Sequence, residues 1–218
     1  MEATRAATWS CYRLMPTELD PRLERWLDAL LGTPGLTSIR DREQARREHV
    51  LDSLQAVPLI ARFAGPIADV GAGGGAPGIP LAAAFPEREL TLIESQRRKC
   101  RFLERFERDF PNLRIVCGRA EEQAVDTYGV VVAKALAPPP VALEWCLPLV
   151  EPGGAAILFT GLLDQDLTSV ARLLGGSEPE LHVVGGSSER LLVVVQKLEP
   201  TPAGFPRRPG MARKRPLA

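Results

Sequence analysis

The sequence predicts an α/β fold: a seven-stranded, mostly parallel sheet with helices on both faces, a C-terminal antiparallel hairpin and N-terminal helices. Three observations lead there. From Ile67 onward, short apolar runs alternate with stretches of helical periodicity, the pattern of repeated βα units. The first run, Ile67-Ala68-Asp69-Val70, leads into Gly71-Ala72-Gly73-Gly74-Gly75-Ala76-Pro77-Gly78, a glycine turn of the kind that joins a buried strand to a helix. The last two apolar runs, at 181–184 and 190–195, are separated only by Gly185-Gly186-Ser187-Ser188-Glu189, so they pair as a hairpin rather than continue the βα alternation.

Taken in order, residues 1–65 read as a helical extension. Leu23, Trp26, Leu27 and Leu30 recur at helical spacing, Pro34-Gly35 ends that pattern, and a second helix runs from about 41 to 62 with an interruption near Pro58. The core spans 66–199. Strands are expected at 67–71, 90–94, 113–117, 129–134 and 154–160, and helices at about 78–84, 96–109, 139–149 and 163–174. The tail, 200–218, holds five prolines and Arg207, Arg208, Arg213, Lys214 and Arg215 with no acid; it is expected to be extended and non-helical.

Composition narrows the function classes. Lys plus Arg and Asp plus Glu both number 27, so the overall charge favours no polyanion, and an RNA partner needs a local basic surface. Cys11, Cys100, Cys117 and Cys146 form no C-x-x-C pair and do not cluster with His49 or His182. Free thiols in a cytoplasmic protein are therefore expected, with neither a disulfide framework nor a bound metal. No signal peptide or apolar run of membrane-spanning length is present.

The glycine turn carries the chemistry. Its run of glycines leaves no side-chain shell over the turn, so a ligand can lie against the main chain. The spacing is not the dinucleotide G-x-G-x-x-G, because Ala76 stands at the sixth position from Gly71. Asp69 precedes Gly71, and D-x-G-x-G resembles the S-adenosyl-L-methionine (SAM) loop of Rossmann-like methyltransferases. An acid there suits a cofactor with an amino group and a sulfonium, and suits a pyrophosphate poorly. Asp69, Gly71, Gly73, Gly75 and Ala76 are the candidate cofactor loop. Glu94 ends the next strand about twenty residues on, where a ribose-binding acid belongs; the alternative is that it caps the helix starting near Ser95. A nicotinamide dehydrogenase is disfavoured by Asp69 and by the hairpin.

Several segments together are similar to the RsmG (GidB) family of 16S ribosomal RNA guanine-N7 methyltransferases: Leu36-Thr37-Ser38-Ile39, His49-Val50-Leu51-Asp52-Ser53, the loop from Asp69 through Gly78-Ile79-Pro80-Leu81, Gly118-Arg119-Ala120-Glu121-Glu122, and Pro206-Arg207-Arg208-Pro209-Gly210. The resemblance covers nearly the whole chain after about residue 35. It implies SAM-dependent methylation of one guanine N7 in 16S rRNA, with that RNA or the small subunit as partner; a monomer is expected. It places the adenine side of the cofactor on Ala120 and Glu121, and a basic catalytic and cofactor-side residue on Lys134. His49, Asp52 and Ser53 fall beside the cofactor mouth. Arg190, Arg207 and Arg208 are candidate RNA contacts.

Three positions depart from the family pattern: Lys134 stands where arginine is usual, Thr160 where lysine is usual, and Leu191 where a histidine often follows Arg190. These bear on substrate handling, and leave open a SAM-binding member with lost or altered RNA specificity. The basic stretch Arg97, Arg98, Lys99, Arg101, Arg105 and Arg108 reads as a solvated helix face, mixed with Glu104 and Glu107. Trp26 and Trp145 are expected in the core, and His182 on a strand without a catalytic task.

Overall fold

The computed structural model describes residues 19–161, 165–185 and 190–217. Helix α1 (Pro21–Gly32) starts where Asp20 accepts the Arg22 backbone N–H at 2.8 Å, with Pro21 in the first turn, where its missing N–H costs nothing. Its stripe of Leu23, Trp26, Leu27 and Leu30 is buried against the sheet. The helix expected over 41–62 is instead a chain of short pieces: α2 (Arg42–Ala45), a π-helical turn (Arg46–Leu51), α3 (Asp52–Leu54) and α4 (Val57–Ile60). Pro58 sits in the first turn of α4, so the interruption falls just before it.

The core then alternates as expected: β1 (Ile67–Val70), α5 (Gly78–Ala84), β2 (Leu90–Glu94), α6 (Arg97–Leu103), β3 (Leu113–Cys117), β4 (Tyr128–Lys134), α7 (Pro139–Cys146), β5 (Val150–Thr160), α8 (Thr168–Leu173), β6 (Glu180–Val184) and β7 (Arg190–Gln196). Strands pair in the order β3-β2-β1-β4-β5-β7-β6. The first five are parallel; β7 runs antiparallel between β5 and β6. The order reverses between β1 and β4, which sets the ligand crevice of such sheets at their C-terminal ends. Side chains alternate between two cores. Ile67, Leu90, Leu92, Val130 and Ile157 face the layer that includes α1, while Ala68, Ile93, Val131, Ala156 and Leu158 face α7 and α8. The start of the helix expected at 163 and most of the hairpin turn, residues 186–189, lie outside the described residues, as does Cys11.

Two expectations are corrected here. Cys100 on α6 and Cys117 at the end of β3 form a disulfide, with Cα atoms 5.8 Å apart, rather than remaining free thiols. Sequence spacing carried no sign of it, because the helix packed on strand β3 brings together residues 17 apart. Cys146 is a buried free thiol. The tail is not wholly extended either: α9 (Met211–Lys214) forms between Pro209 and Pro216, with Gly210 left-handed at its start. The prolines all lie outside this turn, so none breaks it.

The tail is docked. Ala212 is buried, and Phe205 and Leu217 pack on the α7 side of the sheet. Arg207 donates from Nε and Nη2 to both carboxylate oxygens of Glu144, at 2.5 and 2.6 Å. Lys197, fully buried at the end of β7, donates to Leu147 O, Leu174 O and Thr201 Oγ1, so its three protons fasten β7, the ends of α7 and α8, and the start of the tail.

Candidate active site

The glycine turn sits at the C-terminal end of β1, next to the reversal in strand order. Gly71, Gly73 and Gly75 all take positive φ, at 73°, 58° and 105°. A Cβ on Gly71 would lie 2.3 Å from Leu136 Cδ1, so side chains from elsewhere close over a turn that has none of its own. Trp26 Nε1 donates to Gly74 O at 2.8 Å, and Leu30 lies where a Gly74 Cβ would point. The N-terminal helix thus forms one wall of the loop, and the segment after β4 forms another.

Asp69 is 1% exposed. Its Oδ2 accepts the Gly78 N–H at 2.9 Å, while Oδ1 is buried without a partner. Burial pushes its carboxyl up to about 7, against the opposing Gly78 hydrogen bond. A buried acceptor left open is costly to keep, which marks this oxygen as waiting for a donor or cation. Glu94 is also buried. Its Oε2 accepts from Gly73 N at 2.9 Å and its Oε1 from Gln96 N at 2.7 Å. The carboxylate therefore closes the turn before α6 without capping the helix itself, whose N-cap is Gln96, and it also grips the glycine loop. Ala120 is buried beside β3's end, and Glu121 Oε1 accepts from Gly210 N at 3.0 Å, bringing the tail to the same rim.

A charge network lies on the other side of the mouth. Lys134, at the end of β4, places Nζ 2.5 Å from Asp52 Oδ2 and donates to Glu48 O at 2.5 Å. Arg190, at the start of β7, reaches Glu48 Oε2 at 2.6 Å and Asp52 Oδ1 at 3.4 Å. Burial lowers the Lys134 pKa, and Asp52 works against that shift. His49 Nε2 lies 2.9 Å from Thr37 Oγ1, and Ser53 Oγ donates to the His49 carbonyl. Burial holds the imidazole down at about 4, with Lys134 adding to the effect, so His49 is neutral at ordinary pH. These residues are brought together by the π-helical turn, which widens the helix by one residue and swings Glu48 and Asp52 toward β4 and β7.

The structure gathers most of the expected site residues: Asp69, Gly71, Gly73, Gly75, Ala76 and Glu94 in the loop, and His49, Asp52, Ser53, Lys134 and Arg190 around the mouth. Arg207 is turned inward onto Glu144 and holds the tail, whereas Arg208 is exposed. Sequence alone does not single out Glu48. Glu48 lies one helical turn before Asp52, which is the only signal it carried. Ala135 adopts φ 52°, a strained conformation for a residue with a Cβ, directly after Lys134. Among the described residues, no group of three or more His, Cys, Asp or Glu could hold a metal ion, and no helix is long and apolar enough to cross a membrane.

The family described as GidB, rRNA small subunit methyltransferase G, matches residues 22–172. The chain belongs to the GidB family. A ribosomal RNA small subunit methyltransferase G of Rubrobacter xylanophilus is 38% identical over 198 residues, covering 82% of this chain and 75% of that one. Its counterpart in Moorella thermoacetica is 37% identical over 197 residues, covering 84% and 82%. Among solved structures, the S-adenosylmethionine-dependent methyltransferase SibL superposes with a TM-score of 0.60 at 17% identity, covering 79% of this chain and 62% of that one. At that identity it speaks for the fold alone, and the fold is the seven-stranded Rossmann-like methyltransferase sheet expected from sequence.

Proposed function

We propose that this protein transfers the methyl group of SAM to N7 of a guanine in 16S rRNA of the small ribosomal subunit. The observation that carries the reading is the Asp69 carboxylate. It is buried at the root of a glycine turn, with one oxygen on Gly78 N–H and the other unpaired. The donor set fits the cofactor. An acid with an open oxygen suits a cationic amino acid moiety, Glu94 suits ribose hydroxyls, and the glycine backbone admits close approach. Ala120 and Glu121 line the adenine side. Bound there, SAM supplies a methyl group on a positively charged sulfur.

The rest of the task is positioning. Guanine N7 has a free lone pair and no proton to lose, so no side chain needs to act as a general base. Alignment of the two reactants can supply up to roughly 7–11 kcal/mol of the barrier reduction. Lys134 is the cation beside the mouth, and through Asp52 and the Glu48 carbonyl it fixes the π-helical turn against β4. Arg190 and the exposed Arg208 are the candidates for RNA phosphate.

The test uses tritiated SAM, the purified protein and small subunits from a strain lacking the modification. Label on a single guanine N7 is the expected result. Cofactor binding measured by calorimetry, with no label on rRNA, overturns the substrate assignment; absence of cofactor binding overturns the site.

A further inference from the structure

We propose that the Cys100–Cys117 pair is a thiol–disulfide exchange site served by a basic cleft, and that small anionic thiols are its reactants. The two sulfurs differ in access. Cys117 is exposed at the end of β3, whereas Cys100 is 1% exposed on the inner side of α6. A cleft of about 290 Å³ opens onto them, lined by Arg97, Cys100, Arg101, Glu104 and Cys117. Arg97 and Arg101 are one turn apart on α6 and face the same way. Glu104 is the one carboxylate in the lining, so the cleft keeps a net positive charge. Its volume is at the lower end for small-molecule sites. A disulfide at the floor of a cleft with two guanidiniums is placed to receive a thiolate that also carries carboxylates.

Access fixes the direction of attack. The incoming thiolate sulfur bonds to Cys117 Sγ as the Cys117–Cys100 bond breaks, and the electron pair leaves on Cys100 Sγ. That sulfur takes a proton from solvent and, as a thiol, donates to the Glu94 carbonyl 3.2 Å away. A second thiolate then attacks the small-molecule sulfur of the mixed disulfide. It releases Cys117 as a thiolate and carries away the oxidised small thiol, so two electrons pass to the protein pair.

The pair also bears on Glu94. Cys117 is its register partner in the sheet, and Gly118 N donates to Glu94 O at 3.0 Å. The bond therefore clamps α6 to β3 across the strand end that presents the carboxylate. Its consequence for cofactor binding rests on the assignment of Glu94 given above; the exchange reaction at Cys117 does not.

The experiment follows reduction of the oxidised full-length protein by glutathione and by cysteamine, compared per thiolate, with mass spectrometry locating the mixed disulfide. Glutathione is expected to react about tenfold faster at low ionic strength, with the advantage mostly lost at about 1 M salt. Reversing the exposed Arg97→Glu and Arg101→Glu together should invert the preference. Equal rates for the two thiols at low salt, or adducts on Cys100 instead of Cys117, overturn the proposal without recourse to any variant. Amide hydrogen exchange at Gly118 and Gln96 reads the clamp independently of cofactor. Exchange at least about fivefold faster after reduction is expected, and unchanged exchange overturns the link to Glu94.

Discussion

Arg207 was expected to meet RNA and is found on Glu144, so its replacement separates the two roles. Glu144 has a side chain only 3% exposed, and Arg207 one that is 22% exposed. The contact is bidentate, and Arg207 Nη2 also donates to Arg215 O at 2.8 Å, closing the tail on itself. Replacing Arg207 with Met keeps the stem but leaves a buried carboxylate without its cation. Breaking a buried pair costs about 3–5 kcal/mol, and the partial exposure of Arg207 puts this case near the lower end, ~3 kcal/mol. For a chain of this size that corresponds to a fall in Tm of about 6–12 °C. Urea denaturation measures it directly. The double variant Arg207→Met with Glu144→Leu removes the stranded charge and should recover most of the loss, giving a coupling of about 2 kcal/mol. A stability loss below about 1 kcal/mol in Arg207→Met, together with a sharp drop in rRNA methylation, would refute the clamp and return Arg207 to the RNA surface.

Two further predictions concern the cofactor loop. Asp69 has its folded pKa raised to about 7 from 3.8, mainly by burial, so its protonated form stabilises the fold below the unfolded value and that contribution is lost as pH rises through about 7. A cationic cofactor needs the carboxylate; SAM affinity by calorimetry should therefore weaken about tenfold per pH unit below about 7, and Asp69→Asn should bind weakly with that dependence gone. Gly71→Ala puts a Cβ 2.3 Å from Leu136 Cδ1 at a φ of 73°. It should cost about 1–2 kcal/mol in left-handed strain alone and reduce SAM affinity, and the second variant Leu136→Ala should relieve the steric part but not the strain.

Much of this architecture was legible because parallel strands are buried on both faces and read as unbroken apolar runs. Val130-Val131-Val132-Ala133 and Ala155-Ala156-Ile157-Leu158 read as strands because they are short, apolar and preceded by glycine. Asp69 and Glu94 were legible as candidates because they stand at the C-terminal ends of β1 and β2. The features that escaped depend on contacts between distant residues. Glu144 and Arg207 are 63 positions apart, and Glu48 and Arg190 are 142 apart. Local pattern also fails where a wider turn is too short to show a period of its own: the six residues Arg46–Leu51 read as continuous α-helix, and only the backbone hydrogen bonding reveals the π turn. The glycine loop reads as uncovered because its own residues have no side chains, yet Trp26 and Leu30 from α1 and Leu136 from the segment after β4 enclose it.

That wider turn also bears on Lys134, the position where the family usually carries arginine. An ammonium is a compact charge with three donors, and it fits the narrow space between the Asp52 carboxylate and the Glu48 carbonyl. A planar fork is needed where two carboxylates must be bridged at once, and Arg190 does this from β7, with Nη2 on Glu48 and Nε on Asp52. The network then balances two cations against two carboxylates, and Glu48, on the π-helical turn itself, is what draws the guanidinium in. Lysine at 134 and glutamate at 48 are thus parts of one arrangement. In it the point charge locks the turn to β4, and the fork, about one-third exposed, faces the mouth where a phosphate can compete for it.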